Sequence, residues 1–500
     1  MRRRPTRALL PALLMLATVV LGGCPEKRPD APPPGAVPSA PPSLGPPDRS
    51  APPAPGPTVQ WAPPAVDTWK LPNGLTVWFL PQTQVPLASV TLIVPRGGAT
   101  DPAGKAGTTA LMADMLDEGA GGLDAIALGE AFQRLGTDYE ASVGTDATFV
   151  TIHALADQVD ASLALMQTVV FKPDFPAAEL DRRKQQRLAS LLASEADPAT
   201  SRAVVTRRML FGDGYGGFPA DGLRTTVQKI TLADVKAHYP KVFTPEGAAL
   251  VVVGALEKPA VSALATRYFG AWAPGTPATP VALAPQAAGP GVYLIDHPGA
   301  TQSAISVVAR APGADSPDQF AGQLYNFALG GAFMSRVNLK LREEKGYTYG
   351  ARSAYNRWRS AGFFSVGALV KAQFTRESVS EIFNELGAAG GAKPISAQEI
   401  AEARGSLLLS FPGRFENMGA VAGQLAELPL YGRAPDWYTQ WPARVQAVTA
   451  PEIAALAAHH AATKDYIVVV AGDRKTVEPA LAALDLPIRI CDAQGTLLTP

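Results

Sequence analysis

The sequence predicts an α+β protein built from two homologous domains, each an antiparallel sheet packed with helices. One pattern occurs twice: ITLADVKAHYPKVFTPEGAALVVVGALEKPAVSALATRYF, residues 230–269, and VTAPEIAALAAHHAATKDYIVVVAGDRKTVEPALAAL, residues 448–484. Both read as helix, short loop, Val-Val-Val strand, glycine, helix. A second pair lies upstream of each copy, where PLASVTLIVPRGGATDPAG resembles TQSAISVVARAPGADSPDQ, a strand entering a turn and then a helix. Between the copies runs a Pro/Ala/Gly-rich segment from Pro274 to Gly291. Two copies of about 200 residues exclude a short-period solenoid and fit two domains, residues 67–273 and 292–487, with 274–291 as linker and 488–500 as a tail.

The 500 residues are 47% hydrophobic, enough for two packed cores, and 44 basic against 44 acidic residues leave no net field to attract nucleic acid. Arg2, Arg3, Arg4 and Arg7 precede an apolar run from Ala8 to Leu21, then Gly22, Gly23 and Cys24. The run is too short for a membrane span and has the layout of a secretory signal over residues 1–24. Leu-Gly-Gly-Cys resembles the bacterial lipobox, which implies cleavage before Cys24 and lipid on its sulfur. Cys491 then has no partner for an intrachain disulfide. Residues 25–66 hold sixteen prolines in 42 positions, a composition that cannot bury enough apolar surface to fold. They read as a tether that could reach on the order of 120 Å at about 3.1 Å per residue.

Order is expected to begin near Trp69, where KLPNGLTVWFL carries the Asn-Gly signal of a hairpin. PLASVTLIVPRGGA follows as a strand and Gly107 to Leu116 as a helix. Arg134 to Ala156 alternates as two antiparallel strands, and Ala161 to Val170 and Pro176 to Leu192 read as helices. FGDGYGGFPADG is turn-rich, Leu232 to Tyr239 is helical, and AALVVVGAL is a buried strand.

The most informative stretch runs from Leu329 to Tyr355, LGGAFMSRVNLKLREEKGYTYGARSAY. Gly330 and Gly331 are expected to open a helix whose apolar face is Met334, Val337 and Leu341, and Gly346 to end it. Tyr347 and Tyr349 then alternate as in a strand, with both rings on one face. Glycine, helix, glycine and aromatic strand together resemble the carboxyl-terminal half-domain of the M16 (pitrilysin/insulinase/mitochondrial-processing-like) metallopeptidases. The resemblance covers nearly everything from about residue 67 to 487. It implies two similar domains that form half of a clam shell. It also implies that Arg342 and Tyr349 reach into an active-site chamber.

Active members of that family carry His-x-x-Glu-His on the first long helix of the first domain, two zinc ligands one turn apart with a glutamate to activate water. By register those positions fall here on Ala110, Ala113 and Asp114. The third ligand should fall on Ala189 or Ser190, with no acid within three residues; Glu179, Asp181 and Glu195 lie on other faces or a turn away. Asp114 and Asp117 read as the polar side of a helix whose apolar side is Leu111 and Met115. The histidines, His153, His238, His297, His459 and His460, include no i, i+3 or i, i+4 pair. No metal site is therefore expected within the chain. Nucleophile-elbow, phosphate-loop and dinucleotide motifs are missing, and Cys491 has no evident base.

A lost zinc motif beside a retained Arg/Tyr block implies, by resemblance, the non-catalytic subunit of a heterodimeric zinc peptidase facing the periplasm of a bacterial envelope. Zinc would then sit in a partner bearing His-x-x-Glu-His, with Arg342 and Tyr349 acting on a peptide or unfolded-protein substrate. The alternative is a lipid-tethered binding or scaffold protein that holds peptides in the cleft without hydrolysis.

Overall fold

The computed structural model describes residues 61–498, so the leader, Cys24 and most of the tether lie outside the described residues. Two six-stranded sheets dominate. The first is built from β1 (Asp67–Lys70), β2 (Thr76–Pro81), β3 (Leu87–Val94), β4 (Asp138–Val143), β5 (Thr148–Leu155) and β6 (Ala249–Gly254), in the order β1-β2-β6-β3-β5-β4. The second contains β7 (Gly291–Asp296), β8 (Gln302–Ala311), β9 (Thr348–Arg357), β10 (Gly362–Lys371), β11 (Ile467–Gly472) and β12 (Ile488–Cys491), in the order β12-β7-β11-β8-β10-β9. Five strands coincide in order, β2-β6-β3-β5-β4 with β7-β11-β8-β10-β9, which is the structural counterpart of the sequence repeat.

The sheets are mixed rather than wholly antiparallel. The Val-Val-Val strands β6 and β11 lie parallel to β2 and β7, because each returns to the sheet after a long excursion. Both are buried along their whole length, hence the unbroken apolar run in place of alternation. The two edges differ. β1 is the first arm of the predicted Asn73-Gly74 hairpin, whereas β12 comes from the far end of the chain and runs parallel to β7. The expected tail thus supplies an edge strand, and beyond it Gln494 Oε1 accepts from Thr225 N and Oγ1 in the first domain (3.2 and 2.7 Å).

Five helices position the candidate site and join the two domains: α1 (Thr108–Ala113), α2 (Ala125–Arg134), α3 (Ala177–Ala196), α4 (Pro198–Phe211) and α5 (Met418–Leu430). Helices Val159–Phe171, Leu232–Val242 and Lys258–Phe269 cover one face of the first sheet. Its other face is covered by α5 of the second domain, through Val421 and Leu425 against Leu80, Val251 and Val253. Reciprocally, α4 of the first domain lies on β8 and β11, through Val205 and Met209 against Val308 and Val469. Each domain therefore completes the core of the other. The sequence reading missed α4, whose AVVTRRMLF segment has too weak a one-sided pattern to stand out from the turn-rich stretch after it.

Two further expectations change. The segment 274–291 is not a loose linker: Val281 N donates to Ala99 O, and Ala288 N to Met209 O (2.7 and 3.0 Å). Contact with the fold begins ahead of Trp69, since Trp61 packs on Phe411 and Phe415, ring centres 5.6 and 5.2 Å apart.

Candidate functional site

The metal-ligand register falls on α1, which is shorter than expected: it ends at Ala113, and Asp114 caps its carboxyl end. Gly107, at φ 98°, starts it, a left-handed conformation open to glycine at little cost. Asp101 satisfies the orphan donors there, accepting from Gly107 N (2.6 Å), Thr109 N (2.7 Å) and Thr109 Oγ1 (2.6 Å). Burial pushes the Asp101 carboxyl up to about 6 against these bonds. Ala110 and Ala113 are buried methyl groups with no donor atom to offer.

Asp114 is already matched. Arg187 on α3 donates one guanidinium nitrogen to Asp114 Oδ2 and the other to Asp221 Oδ1. One turn earlier on α3, Arg182 and Arg183 donate to the two oxygens of Glu118, whose side chain is buried. The α3 residue facing Asp114 is thus Arg187, ahead of the expected Ala189 and Ser190, which are exposed. Of the acids flanking that window, Glu179 pairs with Arg182 (2.6 Å) and Glu195 with Arg224 (3.0 Å). Asp117 lies in the turn after α1 rather than on the helix, and burial raises its carboxyl above the usual range. A fixed guanidinium holds the position where a divalent cation would need free carboxylates, so these residues do not fit a zinc ion.

The histidines are dispersed. His238 Nε2 meets Thr109 Oγ1, and His297 Nε2 meets Ser201 Oγ, both at 2.9 Å. His460 lies between the hydroxyls of Tyr355 (2.6 Å) and Tyr466 (2.7 Å), whereas His153 and His459 are exposed. Among the described residues no group of three His, Cys, Asp or Glu side chains converges to hold a metal ion. Cys491 is buried in β12 and its thiol is pushed up to about 12 by burial, the opposite of an activated nucleophile.

The Arg342–Tyr349 block is built differently from the expectation. Gly330 and Gly331 close a preceding helix in a π-helical turn, Phe327–Gly331, and Gly330 lets that turn approach β9: a Cβ there would lie 2.5 Å from Ser353 N. The next helix is one short turn, Arg336–Asn338, continued by a π-helical turn, Leu339–Glu344, that carries Arg342. Val337 and Leu341 are core residues as predicted, but Met334 is exposed. Gly346, at φ 65°, ends the element.

Beyond it the two tyrosines part. Tyr347 precedes the strand and stacks on Phe374, ring centres 4.4 Å apart. Tyr349 is 91% exposed, because β9 slips register against β10 between Thr348 and Ala351. This is a β-bulge, the device that re-aims a side chain. Thr348 Oγ1 donates to Leu369 O (2.6 Å), and Gly350 N donates to Thr348 Oγ1 (3.1 Å). Buried Asn338 pins the bulge from below, accepting from Ala351 N (3.0 Å) and donating to Phe333 O (2.6 Å). The Arg342 guanidinium lies 4.5 Å from the centre of the Phe333 ring, with Glu343 3.4 Å from its Nε. Asn338 and Phe333 escaped the sequence reading, because an asparagine in mid-helix and an exposed phenylalanine carry no motif. The arrangement offers a phenol donor and a cation held on a rigid base, with the Glu343 carboxylate beside the cation.

The profile of the insulinase family (peptidase family M16) matches residues 77–215, and that of the peptidase M16 inactive domain matches residues 229–407. An uncharacterized zinc protease of Mycobacterium tuberculosis is 26% identical over 303 residues, 60% of this chain and 68% of that protein. A non-peptidase homolog of Helicobacter pylori is 25% identical over 173 residues, 35% of this chain and 40% of that protein. The crystal structure of a peptidase M16 inactive domain from Pseudomonas fluorescens superimposes with a TM-score of 0.75 at 25% identity, covering 81% of this chain and 97% of that one.

Proposed function

This chain belongs to the insulinase (M16 peptidase) family, and from that premise we propose that it is the non-catalytic, substrate-binding subunit of a two-chain zinc peptidase of the bacterial envelope. One observation carries the reading: the chain's own metal position is filled by Arg187, while Tyr349 stands out on a bulge fixed by Asn338. The lipobox-like Leu-Gly-Gly-Cys24 and the proline-rich segment after it support attachment to the periplasmic side of a membrane. Among the described residues no helix is long and apolar enough to cross one.

In such a pair the partner, bearing His-x-x-Glu-His, would hold the zinc that polarises the scissile carbonyl. From this chain Arg342 would bind a carbonyl of the extended peptide. The Tyr349 hydroxyl would donate to the oxyanion that develops on the scissile group. A donor aimed at charge that appears only in the transition state typically contributes roughly 10²–10³ in rate.

The test mixes this subunit with a His-x-x-Glu-His partner. Activity is expected only in the mixture, and metal analysis of this chain alone should show well under stoichiometric zinc. Tyr349→Phe should lower turnover roughly 10- to 10³-fold with modest change in KM. If Tyr349→Phe and Arg342→Ala complexes assemble and turn over like wild type, the active-site contribution is wrong and a tethered peptide-binding scaffold takes its place.

A further inference from the structure

The face of the first sheet that meets α5 changes character across its width. Near the centre it is apolar, with Leu80 and Val253 under α5. Toward the β4 edge, cross-strand partners form polar rows: Asp138, His153 and Ser89, then Glu140, Thr151 and Thr91, then Ser142 and Phe149. Over these rows α5 presents only Gly419, Ala422, Gly423 and Ala426, too small to fill the space, and a cavity of about 400 Å³ remains. A Cβ built on Gly423 meets nothing within 4 Å.

The carboxylates that line this cavity meet no lysine or arginine in its wall. Glu140, exposed on the edge strand β4, lines its mouth, and among the described residues its carboxylate has neither an ion-pair nor a hydrogen-bond partner. Glu427 lines it too, held at 3.1 Å by Arg433 and at 3.3 Å by the Tyr438 hydroxyl. His153 stands at the exposed side, and no lysine or arginine lines the wall. Ser89 is 1% exposed and its Oγ has no hydrogen-bond partner. A buried hydroxyl at the cavity wall in that state is destabilising, and a ligand donor would relieve it. The row Asp138–His153–Ser89 is not a hydrolase triad: β3 pairs on both sides with β5 and β6, so the strand has no backbone donors to spare for an oxyanion.

We propose that this cavity takes the cationic end of a lysine or arginine side chain from the bound polypeptide. Glu140 is the counter-ion, the Ser89 hydroxyl is an acceptor, and Phe149, Ala422 and Leu430 lie along the aliphatic stem. The assignment rests on the reading that the chain binds polypeptide, and it adds a preference for a basic residue in the segment that crosses the first domain. Ammonium and guanidinium groups are the donors that demand several acceptors at once while their stems tolerate an apolar wall.

The test titrates the mature chain with fluorescein-labelled short Ala/Ser peptides that carry one central lysine, norleucine or glutamate. The lysine peptide should bind roughly tenfold tighter than the norleucine peptide, as for one charged hydrogen-bonded contact, and the glutamate peptide weakest. Glu140→Gln should erase the lysine preference and leave norleucine-peptide binding unchanged, whereas Gly423→Leu should erase the preference and weaken the norleucine peptide as well, since its stem uses the same wall. Equal affinity of wild type for the lysine and norleucine peptides overturns the cavity assignment while the polypeptide-binding reading stands. Failure of every peptide to bind overturns both. Displacement of the lysine peptide by cadaverine at matching concentration assigns the cavity to free polyamines and overturns its link to the substrate.

Discussion

In the first domain α2 ends before Gly136, at φ 60°, and Tyr139 follows three residues later; in the second the π-helical turn ends before Gly346, at φ 65°, and Tyr349 follows at the same spacing. The residue four places ahead of each glycine is Phe132 in one copy and Arg342 in the other. Phe132 and Tyr139 are stacked, ring centres 5.2 Å apart, in the core against the first sheet. Tyr349 is turned to solvent, and Arg342 lies half-buried over the Phe333 ring. The cause is local. β4 pairs with β5 in unbroken register, so the strand period sends Tyr139 to the helix-covered face, whereas β9 slips by a bulge at Tyr349 and sends the ring outward. One repeated backbone thus yields a packing pair in one domain and a presented pair in the other.

The largest expected effect breaks the packing pair. Phe132→Ala removes a buried ring and should cost about 3–5 kcal/mol of stability, whereas Arg342→Ala should stay within about 0.5 kcal/mol. Denaturant unfolding of the two variants side by side measures this. Equal losses would mean that the second pair is also structural.

Acid should separate the domains next. Burial, with the nearby His459 adding to it, lowers His460 from 6.5 to about 3. A depressed histidine contributes stability that is full above the unfolded value and lost as pH falls from about 6.5 toward 3, here on the order of 4 kcal/mol at most. In the first domain two groups oppose each other. His238, lowered by burial to about 4, loses stability over the same fall, while Asp101, raised by burial to about 6, regains it as its carboxyl protonates. The His238 and Asp101 contributions should therefore largely offset each other in acid, whereas that of His460 stands unopposed by a comparable buried carboxyl beside it. His460→Phe should flatten the stability curve between about pH 6 and 3, and Asp101→Asn should steepen it, as read by urea unfolding at a series of pH values.

Much of this architecture was legible in advance, and the reasons are physical. Val-Val-Val strands and the Asn73-Gly74 hairpin advertise themselves because their chemistry is local. The reciprocal cover of each sheet by α4 and α5 was not legible, since a helix packed on another domain's sheet looks like any helix with a weak stripe. At the site, Ala110 and Ala113 announced the loss of the metal without showing what replaced it. Arg187 stands on α3, far along the chain from Asp114, and nothing in its neighbourhood marks its partner. Arg342 and Tyr349 were found as a motif, yet the alternation that placed Tyr347 and Tyr349 on one face failed at a bulge whose determinant, Asn338, lies on another element.

Asn338 therefore offers a sharper probe of the difference between the copies than either member of the presented pair. Asn338→Ala leaves the Ala351 N–H and the Phe333 carbonyl without their buried partner, at a cost of about 1–3 kcal/mol. In the partner complex it should lower turnover toward the level of Tyr349→Phe while Tyr349 itself is intact, because the donor would no longer be held where the oxyanion forms. A stability loss with undiminished turnover would show that the bulge keeps its shape without Asn338.

The smallest expected effect is Tyr349→Phe on the stability of the isolated subunit. Its ring is 91% exposed, so removing the hydroxyl strands no buried partner and leaves no cavity, and the change should be within about 0.5 kcal/mol. Tyr139→Phe is the matched control in the first domain. Its hydroxyl is buried with no hydrogen-bond partner, so deletion removes an unsatisfied polar atom from the core and should leave stability equal or slightly higher. The two substitutions delete the same atom at corresponding positions, which isolates function from fold. A fall in turnover of the partner complex for Tyr349→Phe, with none for Tyr139→Phe, would assign the donor role to the second copy alone. Equal turnover for both variants would return Tyr349 to the status of an exposed surface residue.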